Sequence, residues 1–475
     1  MPKGVTRFAT DGVLLFLLVF VVFEISVNTV WATDHATSFL QLDYALLSNH
    51  SVVLGQPSST PPWTVDDFHY GGQNYSALAP GTAFLALPFT AVGFALAGGY
   101  TAYGPALVWS ETFVSLAGAL AAFLVYKIAG LFFRRSTSIL LGLAFAFSTI
   151  CWPFATYFFQ SDVSAMLVLA AAYFGLKAGR ADGAAALPSL LCGLAAGLAF
   201  TSDYVDAAII PIILAFLVVR KRGSARSAVG AAVALVLGAL PGLAAIGAYN
   251  FAIFGTPFMT TEAAYHLGRP LLAEFSYPLL SGLSLNFFSL SRGVLVFAPI
   301  TLLGILGFVD ALRAREVRSE AILMLAIFLG IVIPYSAWYD PTGGLSFGPR
   351  FIVPAIPFLL LPAGFIVEQA RGARTLAVYA LYVAGVVING MAAFVTVVPP
   401  YNGPSVSPFA TYIVPQFAAG AFDSLWAAAI GDSWPVGALL IAGLGVALPL
   451  LWVESAKRKR PPSVEPTEGQ QTGRR

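Results

Sequence analysis

Residues 31–47 read WATDHATSFLQLDYALL and residues 66–81 read DDFHYGGQNYSALAPG. They are the two halves of a polar stretch, 31–80, in a chain otherwise built of apolar runs. The stretch holds Asp34, Asp43, Asp66 and Asp67 and three of the four histidines. Ionisable groups gathered between membrane segments point to a reaction centre on one side of a membrane. A transport path places them inside the spans instead.

Composition sets the class. Of the 475 residues, 58% are hydrophobic and 10% charged, and the mean hydropathy is +0.81. A soluble globular domain carries about 25% charged residues, so this chain buries apolar surface in lipid. A net charge of +2, with the positives in short clusters, gives no nucleic-acid footprint. Cys151 and Cys192 lie in apolar runs without metal-ligand spacing and read as packed thiols, a disulfide being the minor alternative.

The run 12–31, preceded by Lys3 and Arg7, reads as an uncleaved first span with a cytoplasmic N-terminus, because no A-x-A site follows it. Further apolar stretches lie at 82–99, 106–131, 138–158, 162–179, 187–202, 204–219, 227–250, 293–312, 319–337, 351–367, 375–398 and 435–453. Most approach the ~20 residues that cross a bilayer. The fold class expected is an all-α polytopic membrane protein with about 12–13 transmembrane helices. Arg134/Arg135, Lys177/Arg180, Arg220-Lys221-Arg222, Arg313/Arg315/Arg318, Arg371/Arg374 and the Lys457–Arg460 run mark cytoplasmic turns. Thirteen crossings cannot put every one of these clusters on one side. The segment 82–99, short, Gly-rich and interrupted by Pro88, is the odd one, and it is either re-entrant or Arg134/Arg135 break the rule. Residues 1–453 form one transmembrane domain with external loops at 31–80 and 251–292. The tail 454–475 is polar and Pro-containing, and reads as a disordered cytoplasmic segment. No internal repeat suggests the inverted halves of many transporters.

Within the first loop, Phe39, Leu42 and Leu46 recur at helical spacing, predicting a short amphipathic helix along the membrane interface. Asp34 has two compatible readings, a cap on that helix and a general base at the mouth of a lipid-facing cavity. Asp43 is either a second carboxylate of the site or part of a solvated helix face. Gly71-Gly72 and Pro80-Gly81 supply turns. Asp66 and Asp67 form an adjacent acid pair without a third ligand, a weak metal signal, so no metal or other cofactor is expected, although a divalent ion there stays open. Asn49-His-Ser51 and Asn74-Tyr-Ser76 match a glycosylation sequon that is frequent by chance.

An Asp just after the first span, an amphipathic helix, and a Tyr75-Ser76-x-x-x-Pro80-Gly81 turn opening an apolar segment together resemble the GT-C glycosyltransferases, and within them the dolichyl-phosphate-mannose/ArnT-like family. WPFATYFFQSDVSAMLVL, GLAAGLAFTSDY, AYNFAIFGTPF, SLSRGVLVFAP and AWYDPTGGLSFGPRFIVPAIPF resemble segments of prokaryotic members in the same order, over about residues 12–365. The resemblance implies transfer of one sugar from a polyprenyl-phosphate carrier, with inversion, to a lipid, glycan or protein acceptor outside the cytoplasm. It implies that Asp34 is the catalytic base. Arg292 and Arg350, at external ends of spans, then offer planar forks for the donor phosphate, the alternative for each being interfacial snorkelling. Asp43, Asp67, Tyr70, Tyr75, Tyr339 and Asp340 are the other expected substrate-binding residues. Tyr335, Trp338 and Tyr339 form an aromatic loop on which a sugar could stack or which could serve as an interfacial belt. Glu262, Tyr265, His266 and Arg269 are candidates for the acceptor side, with His266 read first as a surface histidine.

Two departures stand out. Relatives often carry a Lys before the Pro-Gly turn, where this chain has Leu78 and Ala79, so an external Arg must replace it. Where relatives often have a His, this chain reads Gln160-Ser161-Asp162, and Asp162 reads as a helix cap. Glu24 and Glu111, inside spans, are left out of the site. The rival readings are a transporter or lipid flippase, which would need ionisable pairs at mid-membrane, and a non-catalytic polyprenyl-lipid-binding relative.

Overall fold

The computed structural model describes residues 3–27, 33–55, 64–100, 103–183, 185–266, 271–422, 424–430 and 434–447. The expected disordered tail 454–475, the Lys457–Arg460 cluster and Arg269 lie outside the described residues. Helix α1 (Lys3–Ser26) is followed by α2 (Asp34–Asn49), a hairpin of β1 (Asp67–Tyr70) and β2 (Gln73–Ser76), then α3 (Gly81–Leu96) and α4 (Tyr103–Ala129). The rest is helical. Five described helices are long and apolar enough to cross a membrane, six if the bent pair Arg350–Leu360 and Ala363–Gln369 counts as one. Several other expected spans are shorter or broken helices, such as Arg135–Phe147 followed by Cys151–Phe154.

Small residues let these helices approach closely. Gly193 and Gly197 in the helix Ala186–Ser202 face Gly238 and Gly242 in the helix Ala225–Phe254. A Cβ on Gly193 would sit 1.9 Å from the Leu235 carbonyl oxygen, and one on Gly238 would sit 2.0 Å from that of Leu190. This is the small-x-x-x-small packing of membrane helices, in which van der Waals contact replaces a hydrophobic driving force. Both cysteines are buried and free.

The contacts along the chain sort its polar groups to two ends. At one end Arg135 pairs with Asp11, Arg134 with Glu368 at 3.1 Å, and Arg180 with Glu320 at 3.3 Å. Arg220 also approaches Glu320, and Lys221 donates to the carbonyls of Ala181 and Gly183 at 3.0 and 2.7 Å. Basic residues from three separate turns therefore gather at this end. At the other end, Tyr265 donates to the Val65 carbonyl at 2.9 Å and Thr261 to that of Ala77 at 3.0 Å, so the second large loop docks on the first.

Helix α3 accounts for the odd crossing. Its first residue, Gly81, lies against Thr201, at the end opposite the arginines. Its far end returns to the same region, with Phe94 against Tyr44 of α2 and Gly93 against Ala106 in the first turn of α4. Because both ends of α3 lie toward α2, the segment 82–99 does not carry the chain across. The basic clusters then fall on one side without conflict.

Helix α2 is present as expected, but it does not lie exposed along an interface. From His35 to Asp43 it is buried all round. Its polar positions face partners rather than water: Thr37 meets the Tyr103 hydroxyl at 3.0 Å and Ser38 donates to Ser76 at 2.8 Å. The hairpin above it turns through Gly71 and Gly72, both with positive φ (58° and 83°), which suits the two-residue turn that matches strand twist.

Candidate active site

Asp34 is the first helical residue of α2 and is exposed. The cap is Thr33, whose side chain accepts from the Ala36 N–H at 3.1 Å, so the expected capping role of Asp34 belongs to its neighbour. Among the described residues the Asp34 side chain has no hydrogen-bond partner. Partial burial raises its pKa, as does the negative charge of Asp66, while His35 opposes both.

Behind Asp34 stands a His–Asp pair that sequence reasoning missed. His35 Nδ1 lies 2.6 Å from Asp66 Oδ2. Burial works against ionisation of Asp66, but His35 and the charge of Arg350 outweigh it and hold its pKa below the ordinary value. Thus Asp66, rather than the expected Asp67, faces the charged groups. Asp67 accepts from the Thr64 N–H at 3.0 Å and opens the hairpin opposite Ser76.

Phe159 joins this pair to Arg350. The His35 ring lies 5.0 Å from Phe159, and the Arg350 guanidinium lies 5.5 Å from the same ring and 4.9 Å from Phe351. Phe351 stacks flat on Tyr335 at 4.7 Å, and Tyr335 donates to the Asp203 carboxylate at 2.6 Å. A continuous wall of aromatic and charged groups therefore runs from Asp66 to Asp203 with Arg350 at its centre. Among the described residues Arg350 Nε is buried without a hydrogen-bond partner. A buried, unpaired guanidinium donor is costly, and it suits an anion that enters from outside the protein.

The other expected residues divide. Tyr339 is 46% exposed and packs on His266 at 4.9 Å between ring centres, while Asp340 accepts from the Thr342 N–H at 3.0 Å. Tyr70 is 39% exposed and packs edge-on against Phe254. Tyr75 is buried against Phe68. Asp43 is 0% exposed and accepts from Thr90 at 2.6 Å, beneath α2 rather than on a solvated face or beside Arg350. Arg292 is also 0% exposed. It donates to the carbonyls of Thr342, Ser291 and Gly344 at 2.8, 3.0 and 2.6 Å, so its fork is not open to a phosphate. Asp162 lies buried inside the first turn of the helix Ser161–Arg180 and does not cap it.

His266, expected at the surface, sits between two acids. Nε2 lies 3.3 Å from Glu262 and Nδ1 3.5 Å from Glu274. Among the described residues no group of three or more His, Cys, Asp or Glu has the geometry of a metal site. Asp203 was also missed, although it carries a signal: it is the single charged break between the apolar runs 187–202 and 204–219.

No curated protein sequence matches the chain. Residues 92–249 match the family described as dolichyl-phosphate-mannose-protein mannosyltransferase. Among solved structures, the fold is similar to that of ArnT from Cupriavidus metallidurans bound to undecaprenyl phosphate, with 17% identity and a TM-score of 0.55 over 95% of this chain and 78% of that one. It is also similar to the archaeal oligosaccharyltransferase AglB from Archaeoglobus fulgidus in complex with an inhibitory peptide and a dolichol-phosphate. That likeness has 12% identity and a TM-score of 0.51, over 94% of this chain and 55% of the other. At such identities it is the architecture that is shared. By that architecture, a bundle of apolar helices, the chain has the fold of the GT-C membrane glycosyltransferases.

Proposed function

We propose that this chain moves a single sugar from a polyprenyl-phosphate-linked donor to a lipid, glycan or protein acceptor, with inversion, on the extracytoplasmic face. One observation carries the reading: an exposed carboxylate, Asp34, and an arginine with a buried Nε unpartnered among the described residues, Arg350, both act on Asp66 at the acid- and aromatic-rich end of the bundle. Asp34 takes the proton of the acceptor hydroxyl as its oxygen bonds to the anomeric carbon. The bond from that carbon to the phosphate oxygen breaks, and its electron pair leaves with the polyprenyl phosphate. Arg350 stabilises the charge that grows there, an electrostatic role best served by a preorganised donor. His35 and Asp66 hold the wall between base and arginine in place. Tyr339 and Asp340 flank the sugar, and no metal is required for any step.

The arginines collected at the opposite end, where the positive-inside rule puts the cytoplasm, support the extracytoplasmic placement. The undecaprenyl phosphate held by ArnT and the dolichol-phosphate held by AglB support a donor of the same kind. Reconstitution in vesicles with polyprenyl phosphates carrying labelled hexoses or pentoses, and a membrane extract as acceptor, tests the reading. Free polyprenyl phosphate should appear in step with labelled acceptor. Movement of intact donor between leaflets without bond cleavage would make the chain a flippase instead, and binding without turnover a non-catalytic lipid binder.

A further inference from the structure

A fully buried arginine that touches no substrate still needs a reason to be an arginine. Burying its charge costs several kcal/mol unless hydrogen bonds compensate, and here the compensation comes from one loop. Arg292 Nε and Nη2 donate to the Thr342 and Gly344 carbonyls at 2.8 and 2.6 Å. The Tyr401 ring covers the guanidinium at 4.8 Å. Gly343 and Gly344 both have positive φ, 67° and 66°, a conformation that L side chains rarely adopt, and it turns two carbonyls toward the same fork. The other side of that turn faces Arg350. A Cβ on Gly343 would lie 2.8 Å from Arg350 Nε and 3.2 Å from the Phe351 ring. The same three residues are therefore gripped by one arginine and pressed against the other.

We propose that Arg292 is a positioning residue: by clamping the Thr342–Gly344 turn it sets the Arg350 guanidinium in the direction from which the donor phosphate is held. This rests on the reading of Arg350 as the phosphate ligand. The clamp needs the planar fork, because both carbonyls must be reached at once. A lysine keeps the charge but offers no such fork.

The test is binding of undecaprenyl phosphate, without sugar, to the full-length chain in nanodiscs, with thermal unfolding measured on the same samples. Arg292→Lys should raise Kd about tenfold, the worth of one charge-assisted contact, with little change in Tm. Combined with Arg350→Lys it should add little beyond Arg350→Lys alone, because residues acting through one another are not additive. A wild-type Kd in Arg292→Lys, or full additivity in the double variant, overturns the clamp while leaving the phosphate reading standing. A wild-type Kd in Arg350→Lys overturns the phosphate reading itself. If Arg292→Lys does not fold, Gly343→Ala provides the second arm. It crowds Arg350 from the loop side and should raise Kd without adding to Arg350→Lys. Additivity there overturns the proposal equally.

Discussion

At the basic end of the bundle Asp11, Glu320 and Glu368 each meet at least one arginine, whereas at the other end Asp34, Asp66, Asp203, Glu262 and Glu274 gather around histidines, a tyrosine and, among the described residues, one available arginine, Arg350. The first arrangement needs only proximity. Arg134, whose side chain is 84% exposed, holds Glu368 in the manner of a surface pair, and such pairs contribute about 0–1 kcal/mol. The second arrangement leaves a carboxylate with a raised pKa open at the mouth and an arginine donor unpartnered beneath it. Stability alone does not select such groups. Perturbed and unpaired charges concentrate where chemistry is done. In the proposed reading, the balanced charge at one end orients the chain in the membrane, and the charge left unbalanced at the other end acts on a substrate.

Several measurements would break or sharpen this contrast. The largest effect expected after loss of the base is on donor binding. Arg350→Ala should weaken binding of a polyprenyl-phosphate sugar by about 1.5–3 kcal/mol, the range for a hydrogen bond to a charged group. An unaltered affinity would return Arg350 to the structural class represented at the basic end. Next is the pH profile. Asp34 acts only when ionised, so turnover should decline as pH falls through its raised pKa. Asp66→Asn removes one cause of that elevation, the neighbouring negative charge, so the acid limb should move to lower pH; an immobile limb would uncouple the two carboxylates. The sign for stability differs. Because Asp66 has a lowered folded-state pKa, its contribution is present above the ordinary carboxylate value and lost as pH falls through the folded one. Asp66→Asn should therefore destabilise the chain at neutral pH and not in acid.

A smaller effect is expected of Thr33→Ala, which removes the cap of α2 and should cost about 1 kcal/mol, read as a lower Tm. The smallest is at the basic end. Arg134→Gln with Glu368→Gln should change stability by under ~1 kcal/mol and leave donor affinity untouched. A large loss of transfer in that pair would erase the division between the two ends.

The parts that were legible in the sequence are those set by local pattern. Apolar runs gave the helical bundle, clusters such as Arg134/Arg135 and Arg220-Lys221 gave its basic end, and Gly71-Gly72 gave the turn of the hairpin. What escaped depends on contacts distant in sequence. Asp66 and Asp67 are indistinguishable as letters, but the strand starts at Asp67 and pairs it with Ser76, leaving Asp66 to reach His35 on α2. Arg292 and Arg350 both look like arginines at span ends, and only the carbonyls of Thr342 and Gly344 separate a clamp from an open fork. The polar face of α2 read as solvated because its partners, Tyr103, Ser76 and Thr90, lie on other elements. Gly193/Gly197 and Gly238/Gly242 share a four-residue spacing in the sequence, but only the contact between their two helices shows what that spacing does.

Asp34→Asn tests the central claim most directly. Thr33 provides the cap, so the substitution should leave folding intact, apart from the roughly 0.3–1 kcal/mol that an acid in a first helical turn can contribute. Sugar transfer by the reconstituted variant should fall by ~10²–10⁴-fold, the usual worth of general base catalysis, while donor binding persists. An Asp34→Asn protein that transfers sugar at the wild-type rate would contradict the assignment of Asp34 as the base.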